Sequence, residues 1–178
     1  MRRLHLDDPG VVVALIAGLS YAAMGLFVGL GALAPRQGAM FLNVEDAEEI
    51  REQRASLGPS AVSCILIGAF LLLLALAPAE RGPNSELWVA AAGACLLGVV
   101  VIGVATRRRA DELMRQISLQ ASALTLNIAL LVLSVWALLA QLDFVSWVTP
   151  RAAIAGVAAV YLVTVFWVSG RRGLLAVR

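Results

Sequence analysis

The chain alternates between long apolar stretches and short blocks of charged residues. Five stretches of about 18 to 24 residues are almost free of charged side chains. Because an α-helix rises about 1.5 Å per residue, each stretch is long enough to cross the roughly 30 Å hydrocarbon core of a bilayer. The pattern therefore predicts five membrane-spanning helices, at residues 11–34, 60–79, 87–105, 121–141 and 149–169.

The amino-acid composition indicates the same class of protein. Hydrophobic residues make up 61% of the 178 residues and charged residues 15%, which is more apolar and less charged than an average globular domain. We therefore expect an all-α integral membrane protein that forms a single membrane domain over residues 1–178, with the lipid bilayer as its immediate surroundings.

Arginine indicates the orientation, since all 14 basic residues are Arg and none is Lys. This Arg-only, Ala- and Leu-rich composition fits a bacterium with a GC-rich genome, and hence the bacterial inner membrane. If the N-terminus is outside, only Arg2, Arg3, Arg81 and Arg151 are outside with it, and the C-terminus is cytoplasmic. Arg2 and Arg3 precede the first span and favour the opposite orientation. The cytoplasmic side then receives the other ten: Arg36, Arg51, Arg54, Arg107, Arg108, Arg109, Arg115, Arg171, Arg172 and Arg178.

Two charged segments resemble each other. The first charged segment is NVEDAEEIREQR (43–54) and the second is ADELMRQ (110–116), and alignment of 47–62 with 110–124 pairs Glu49 with Glu112. The first and third spans are rich in small residues, and the second and fourth are rich in Leu. These likenesses predict a tandem duplication about an axis along the membrane normal, with the small-residue spans nearer the centre. The units are 11–79 and 87–141, and the fifth span, 149–169, is unpaired.

Both charged segments are predicted to be helical extensions on the cytoplasmic side. Gly58-Pro59 should end the first extension, with Pro59 beginning the second span, whereas the second extension should continue without a break over about 108–140. One interpretation is that these are solvated helix ends that anchor the spans. The other is a partner-docking surface, which the similarity of the two segments favours. Its candidate residues are Glu48, Glu49, Arg51, Arg54, Arg107, Arg108, Arg109, Asp111 and Glu112.

Reactive groups are scarce, and this argues against an enzyme. No charged residue lies in the interior of a span, where ion and proton pathways place them. The single histidine, His5, argues against haem ligation and zinc binding. Glu48, Glu49 and Arg54 approximate the glutamate motif of CAAX-type membrane proteases, but their spacing is one residue too long and that family's histidines are missing. We expect no catalytic residues, cofactor or metal, and Cys64 and Cys95 should be apolar filler.

Two sets of residues are predicted to pack helices together. Ser118, Ser122 and Thr125 recur on one face of the fourth span and should hydrogen-bond a neighbouring helix, although a pocket for a small amphiphile is an alternative. Small residues on the first span could pack within the chain against the second or third span, or could form a homodimer. These are Gly18, Ala22, Gly25, Gly29 and Ala32.

The second charged segment also carries a resemblance. Ala110 to Leu113, directly before a Leu-rich span, resembles a juxtamembrane Asp-Glu motif in small uncharacterised bacterial multi-span membrane proteins. Some of those proteins are encoded beside helix-turn-helix regulators. The resemblance covers about 106–141 and implies a membrane protein that holds or releases a cytoplasmic regulator.

Three function classes remain. The first is an inner-membrane interaction or regulatory protein that docks a soluble partner. The second is an accessory subunit of a larger membrane complex, and the third is a binder or carrier of a neutral lipid-like molecule. We expect no direct binding of nucleic acid.

Overall fold

A computed structural model describes residues 8–34, 47–77, 85–107 and 112–172. Five helices occupy these residues, and each is long and apolar enough to cross a membrane. This confirms the predicted all-α class with five membrane-spanning helices. The helices are α1 (Pro9–Leu33), α2 (Ala47–Leu76), α3 (Ser85–Arg107), α4 (Glu112–Gln141) and α5 (Pro150–Arg171).

Proline in the first turn sets the beginning of α1 and of α5. Pro9 follows Asp8, whose carboxylate accepts a hydrogen bond from the Gly10 N–H at 2.8 Å. Pro150 follows Thr149, whose hydroxyl accepts one from the Ala152 N–H at 3.2 Å. In both helices the missing N–H of proline costs nothing, because the first helical N–H groups have no intrahelical acceptor.

The prediction for Gly58-Pro59 is wrong, because α2 continues through Pro59 as one helix of 30 residues. Proline removes one backbone hydrogen bond and crowds the preceding turn. However, the residues that follow are apolar and enter hydrocarbon, where a broken backbone would leave polar groups without partners. The free energy of the helical hydrogen bonds on both sides of Pro59 therefore exceeds the local cost of the proline. The second extension is continuous with its span from Glu112, where α4 begins, to Gln141, as expected; residues 108–111 of the predicted helix lie outside the described residues.

The carboxyl end of α4 closes with a turn that leads into α5. Asp143 has a positive φ of 57°, its N–H donates to the Ala140 carbonyl, and the Phe144 N–H donates to the Leu139 carbonyl. These are the two hydrogen bonds of a Schellman motif, with aspartate in the place that glycine usually takes. The Trp136 indole N–H donates to the Ser146 carbonyl at 3.0 Å, which ties the following loop to α4.

The described residues form two compact units. One contains α4, α5 and the first residues of α1 up to Ala14. The other contains α2, α3 and the rest of α1 from Leu15. The division falls between α3 and α4, inside the second predicted repeat unit and not between the two repeats. The tandem duplication therefore stays a prediction.

Glycine brings the backbones of α1 and α2 together in the second of these units. A Cβ atom added to Gly68 would lie 2.7 Å from the Ala22 nitrogen and 2.8 Å from the Gly18 carbonyl oxygen. A Cβ atom on Gly25 would lie 2.8 Å from the Ala61 carbonyl oxygen. Close approach of this kind holds membrane helices together, because dispersion replaces the hydrophobic driving force that lipid does not supply.

The two small-residue spans differ in how much of each is buried, and whether both are central to the molecule stays a prediction. The most apolar 18 residues of α1 are 33% buried, whereas those of α3 are 0% buried. Gly93 and Gly103 of α3 have open space around them. A small-residue composition therefore permits close packing but does not by itself produce it.

Candidate docking surface

The helices α4 and α5 pack against each other along small and branched side chains. Ile117, Ala121 and Val168 form the buried core of the pair, and Leu124 and Val165 cover it. Because α5 returns antiparallel to α4, the last turn of α5 lies beside the first turns of α4. This arrangement brings charged residues from opposite ends of the sequence 111–172 to one end of the helix pair.

A hydrogen bond between the two helices fixes this end. The Arg172 guanidinium donates to the Gln120 side-chain oxygen at 2.8 Å. One and a half turns deeper, the hydroxyls of Thr125 and Thr164 lie 2.6 Å apart and are buried. Each hydroxyl has one proton, so one of the two donates to the other, and the second donates to a carbonyl of its own helix, which is Ala121 for Thr125 or Tyr161 for Thr164. The structure thus gives Thr125 the neighbouring-helix partner that its position predicted, while Ser118 and Ser122 are exposed.

The first turn of α4 carries an exposed ion pair. The Glu112 carboxylate lies 3.6 Å from Arg115 Nε and accepts a hydrogen bond from the Gln116 amide at 3.3 Å. The two charged side chains are 64% and 60% exposed. An ion pair this exposed contributes little to folding, roughly 0 to 1 kcal/mol. Both charges therefore remain accessible to another molecule.

Apolar side chains lie among these charges. Leu113 and Met114 are 48% and 55% exposed on the first turn of α4. Arg171 and Arg172 are exposed at the end of α5. Protein interfaces combine accessible apolar groups with charged residues at their edge. We call this the α4–α5 end surface, defined by Glu112, Leu113, Met114, Arg115, Arg171 and Arg172.

The structure describes only some of the nine predicted docking residues. Glu112 belongs to the α4–α5 end surface. Arg107 is the last residue of α3, and α2 begins with the backbone that carries Glu48, Glu49, Arg51 and Arg54. Arg108, Arg109 and Asp111 lie outside the described residues. Whether the two charged segments act together stays a prediction.

Sequence reasoning did not include Arg115, Arg171 and Arg172 among the docking residues. Two signals could have identified them. Arg115 follows Glu112 at a spacing that places both on one helix face, and Arg171-Arg172 ends the fifth span on the side where Arg is most abundant. Their proximity depends on the antiparallel pairing of α4 with α5, which no local pattern specifies.

The small residues of the first span lie toward α2. Gly18 and Gly25 meet α2 at close range, and a Cβ atom on Gly29 would lie 3.6 Å from Ala61 Cβ. Ala22 approaches Gly68, and Ala32 is buried at 3% exposure. This surface is therefore covered within the chain, which is the intramolecular of the two arrangements that the sequence allowed.

The opposite end of the α4–α5 pair is also tied by charge. The Asp8 carboxylate lies 3.6 Å from the Arg151 guanidinium, and Gly10 meets Ala152 closely enough that an added Cβ would be 3.0 Å away. The first turns of α1 and α5 are therefore on one side of the membrane. An even number of crossings must separate them, and the four helices α1 to α4 provide it.

Two observations concern groups that could carry chemistry in the described part of the chain. No group of three metal-binding side chains occurs among these residues, and Cys64 and Cys95 are both free thiols there. An open apolar groove on α5 is lined by Leu162, Val163, Phe166 and Trp167. Its lining is almost entirely apolar, as suits a helix surface that contacts lipid acyl chains.

Comparison with other proteins gives no guide to the function of this chain. No known protein family, curated protein or solved structure matches it.

Proposed function

We propose that this chain is a bacterial inner-membrane interaction or regulatory protein that docks a soluble cytoplasmic partner on its juxtamembrane helices. The α4–α5 end surface is the observation that supports the proposal. It combines exposed charge of both signs with exposed apolar side chains at the end of a membrane-anchored helix pair. We assign no catalytic role to it.

The charges on this surface favour recognition over tight binding. The surface carries three Arg and one Glu, so a partner with acidic residues facing the arginines and a basic residue facing Glu112 is complementary to it. Exposed charges of this kind raise the association rate and suppress wrong partners, and salt screens them over roughly 10 Å at 0.1 M ionic strength. Binding of the partner should therefore weaken as salt concentration rises.

Orientation decides whether such a partner can reach the surface. With ten Arg on one side and four on the other, the positive-inside rule places the end of α5 in the cytoplasm. A reporter fused after Arg178 should therefore read cytoplasmic, and the same reporter inserted between Phe144 and Val145 should read external. If both readings are reversed, the orientation is wrong and no cytoplasmic partner can reach the α4–α5 end surface.

Charge reversal tests the docking itself. We expect Glu49→Arg combined with Glu112→Arg to lower recovery of a copurifying soluble protein at least about tenfold, because like charge would then face the partner's basic groups. Folding should change little, since the exposed pair of Glu112 with Arg115 contributes less than about 1 kcal/mol and Glu49 lies in a charged segment outside the apolar spans. The measurement is quantitative mass spectrometry after mild detergent extraction.

The matched control is Glu86→Arg, a reversal of an exposed Glu in the first turn of α3, which faces the other side of the membrane in this topology. Partner recovery should be unchanged in this variant. If the double variant keeps every partner of the wild type, the charged segments are solvated helix ends. If only other membrane subunits copurify, and the double variant keeps them, the chain is an accessory subunit instead.

A further inference from the structure

Polar residues recur every seven positions along α4. They are Gln120, Asn127, Ser134 and Gln141, and all four are exposed. Thr125, which hydrogen-bonds α5, lies two residues before Asn127 and so points in nearly the opposite direction at about 100° per residue. Asn127, Ser134 and Gln141 therefore lie on α4 outside its buried contact with α5, whereas Gln120 lies at the edge of that contact, where it accepts a hydrogen bond from Arg172. We call the four residues the polar stripe.

Asn127 is the member of the polar stripe whose position in hydrocarbon costs the most free energy. It lies near the midpoint of a helix of 30 residues, at the depth of the hydrocarbon core. Gln120 accepts a hydrogen bond from Arg172, but the Asn127 side chain has no hydrogen bond among the residues that the structure describes. Hydrocarbon cannot supply one. An amide held at this depth therefore favours a second protein surface against the polar stripe.

The seven-residue spacing specifies the kind of surface. A repeat of seven residues keeps one line of side chains facing a partner helix in a left-handed pair. The alternate positions of the same seam hold Ala123, Leu130 and Ala137, of which the first two are exposed and the third half-buried. Two alanines allow close approach, and a single central Leu fills the remaining space.

We propose that the polar stripe is the contact of a parallel homodimer, in which α4 of one copy packs against α4 of a second copy. All copies of one chain insert in the same direction, so a two-fold axis along the membrane normal places each seam residue opposite itself. Amides and hydroxyls both donate and accept hydrogen bonds, so Asn127 can pair with Asn127 and Ser134 with Ser134. The polar stripe contains no charged residue, and no repulsion opposes this pairing.

Single cysteines test the geometry in the full-length protein. In a background with Cys64→Ala and Cys95→Ala, we expect Asn127→Cys and Ser134→Cys to form disulfide-linked dimers in membranes under mild oxidation. Val132→Cys and Leu139→Cys are the matched controls, because these residues are 50% and 38% exposed on the same helix but follow Thr125 at intervals of seven residues, on the side of α4 that faces α5. They should stay monomeric under the same conditions.

A second measurement concerns strength. Asn127→Leu should weaken self-association in detergent about 3- to 20-fold, the range expected for one interhelical hydrogen bond in a membrane, and Asn127→Gln should retain most of it. Equal cross-linking at all four positions would indicate random collision and overturn the proposal. So would the absence of dimers at Asn127 and Ser134, or cross-linking of Asn127→Cys to a different membrane protein.

Discussion

Replacing Gly68 by alanine should destabilise the protein by about 1 to 3 kcal/mol, the usual cost of forcing one extra group into a packed contact. The added Cβ would lie 2.7 Å and 2.8 Å from two backbone atoms of α1. Backbone cannot rotate away as a flexible side chain can, so α1 and α2 must separate over several turns. Unfolding of the purified protein by increasing SDS, followed by circular dichroism, would measure the loss.

Gly93→Ala is the matched control for this substitution. Gly93 lies in a helix of similar apolarity, but a Cβ atom there would meet nothing within 4 Å. Alanine favours a helix over glycine by up to about 1 kcal/mol, so this variant should be neutral or slightly more stable. Equal stability of the Gly68 and Gly93 variants would show that α1 and α2 do not meet at Gly68.

Replacing Thr125 by valine should destabilise the protein by about 0.6 to 1.7 kcal/mol, the measured range for polar contacts between membrane helices. Valine keeps the shape of the side chain but removes the hydroxyl that lies 2.6 Å from Thr164. Thr164 keeps the Tyr161 carbonyl as a local acceptor, so no hydroxyl is left without a partner. The decrease in the free energy of unfolding therefore measures the hydrogen bond between the helices.

The double-mutant cycle isolates that bond. Thr164→Val should cost a similar amount, and the double variant should cost little more than either single one, because the bond is already broken. Thr106→Val is the control, since the Thr106 hydroxyl donates to the Ile102 carbonyl of its own helix. Strict additivity of the Thr125 and Thr164 effects would contradict a direct bond between them. The measurement is again unfolding in SDS.

The five spans could be predicted from sequence because their cause is local. A run of about twenty uncharged residues must satisfy its own backbone in hydrocarbon, and only a helix does so. The same physics explains the error at Pro59. In water, solvent can bond the backbone groups that a proline leaves unpaired, so a helix commonly ends there. Hydrocarbon cannot bond them, and α2 continues through Pro59.

The choice of helix partners could not be predicted, because it depends on residues far apart in sequence. The small residues of α1 indicated a packing face, but that face fits α2 only because α2 has Gly68 at the contact. Span α3 has similar small residues, yet none of its most apolar 18 residues is buried. The α4–α5 end surface has the same origin. Glu112 was a candidate from its own segment, but Arg172 lies at the same end of the helix pair, bonded to Gln120, only because α5 folds back on α4.

The contact of Asp8 with Arg151 has a consequence for biosynthesis. A ribosome delivers α1 to the membrane first and α5 last, with three helices synthesised between them. The first turn of α1 must therefore wait for its partner until almost the whole polypeptide has been translated. During that interval Asp8 lies at the membrane surface with its charge uncompensated by Arg151. Chains that terminate before α5 therefore lack this ion pair between the first and last helices.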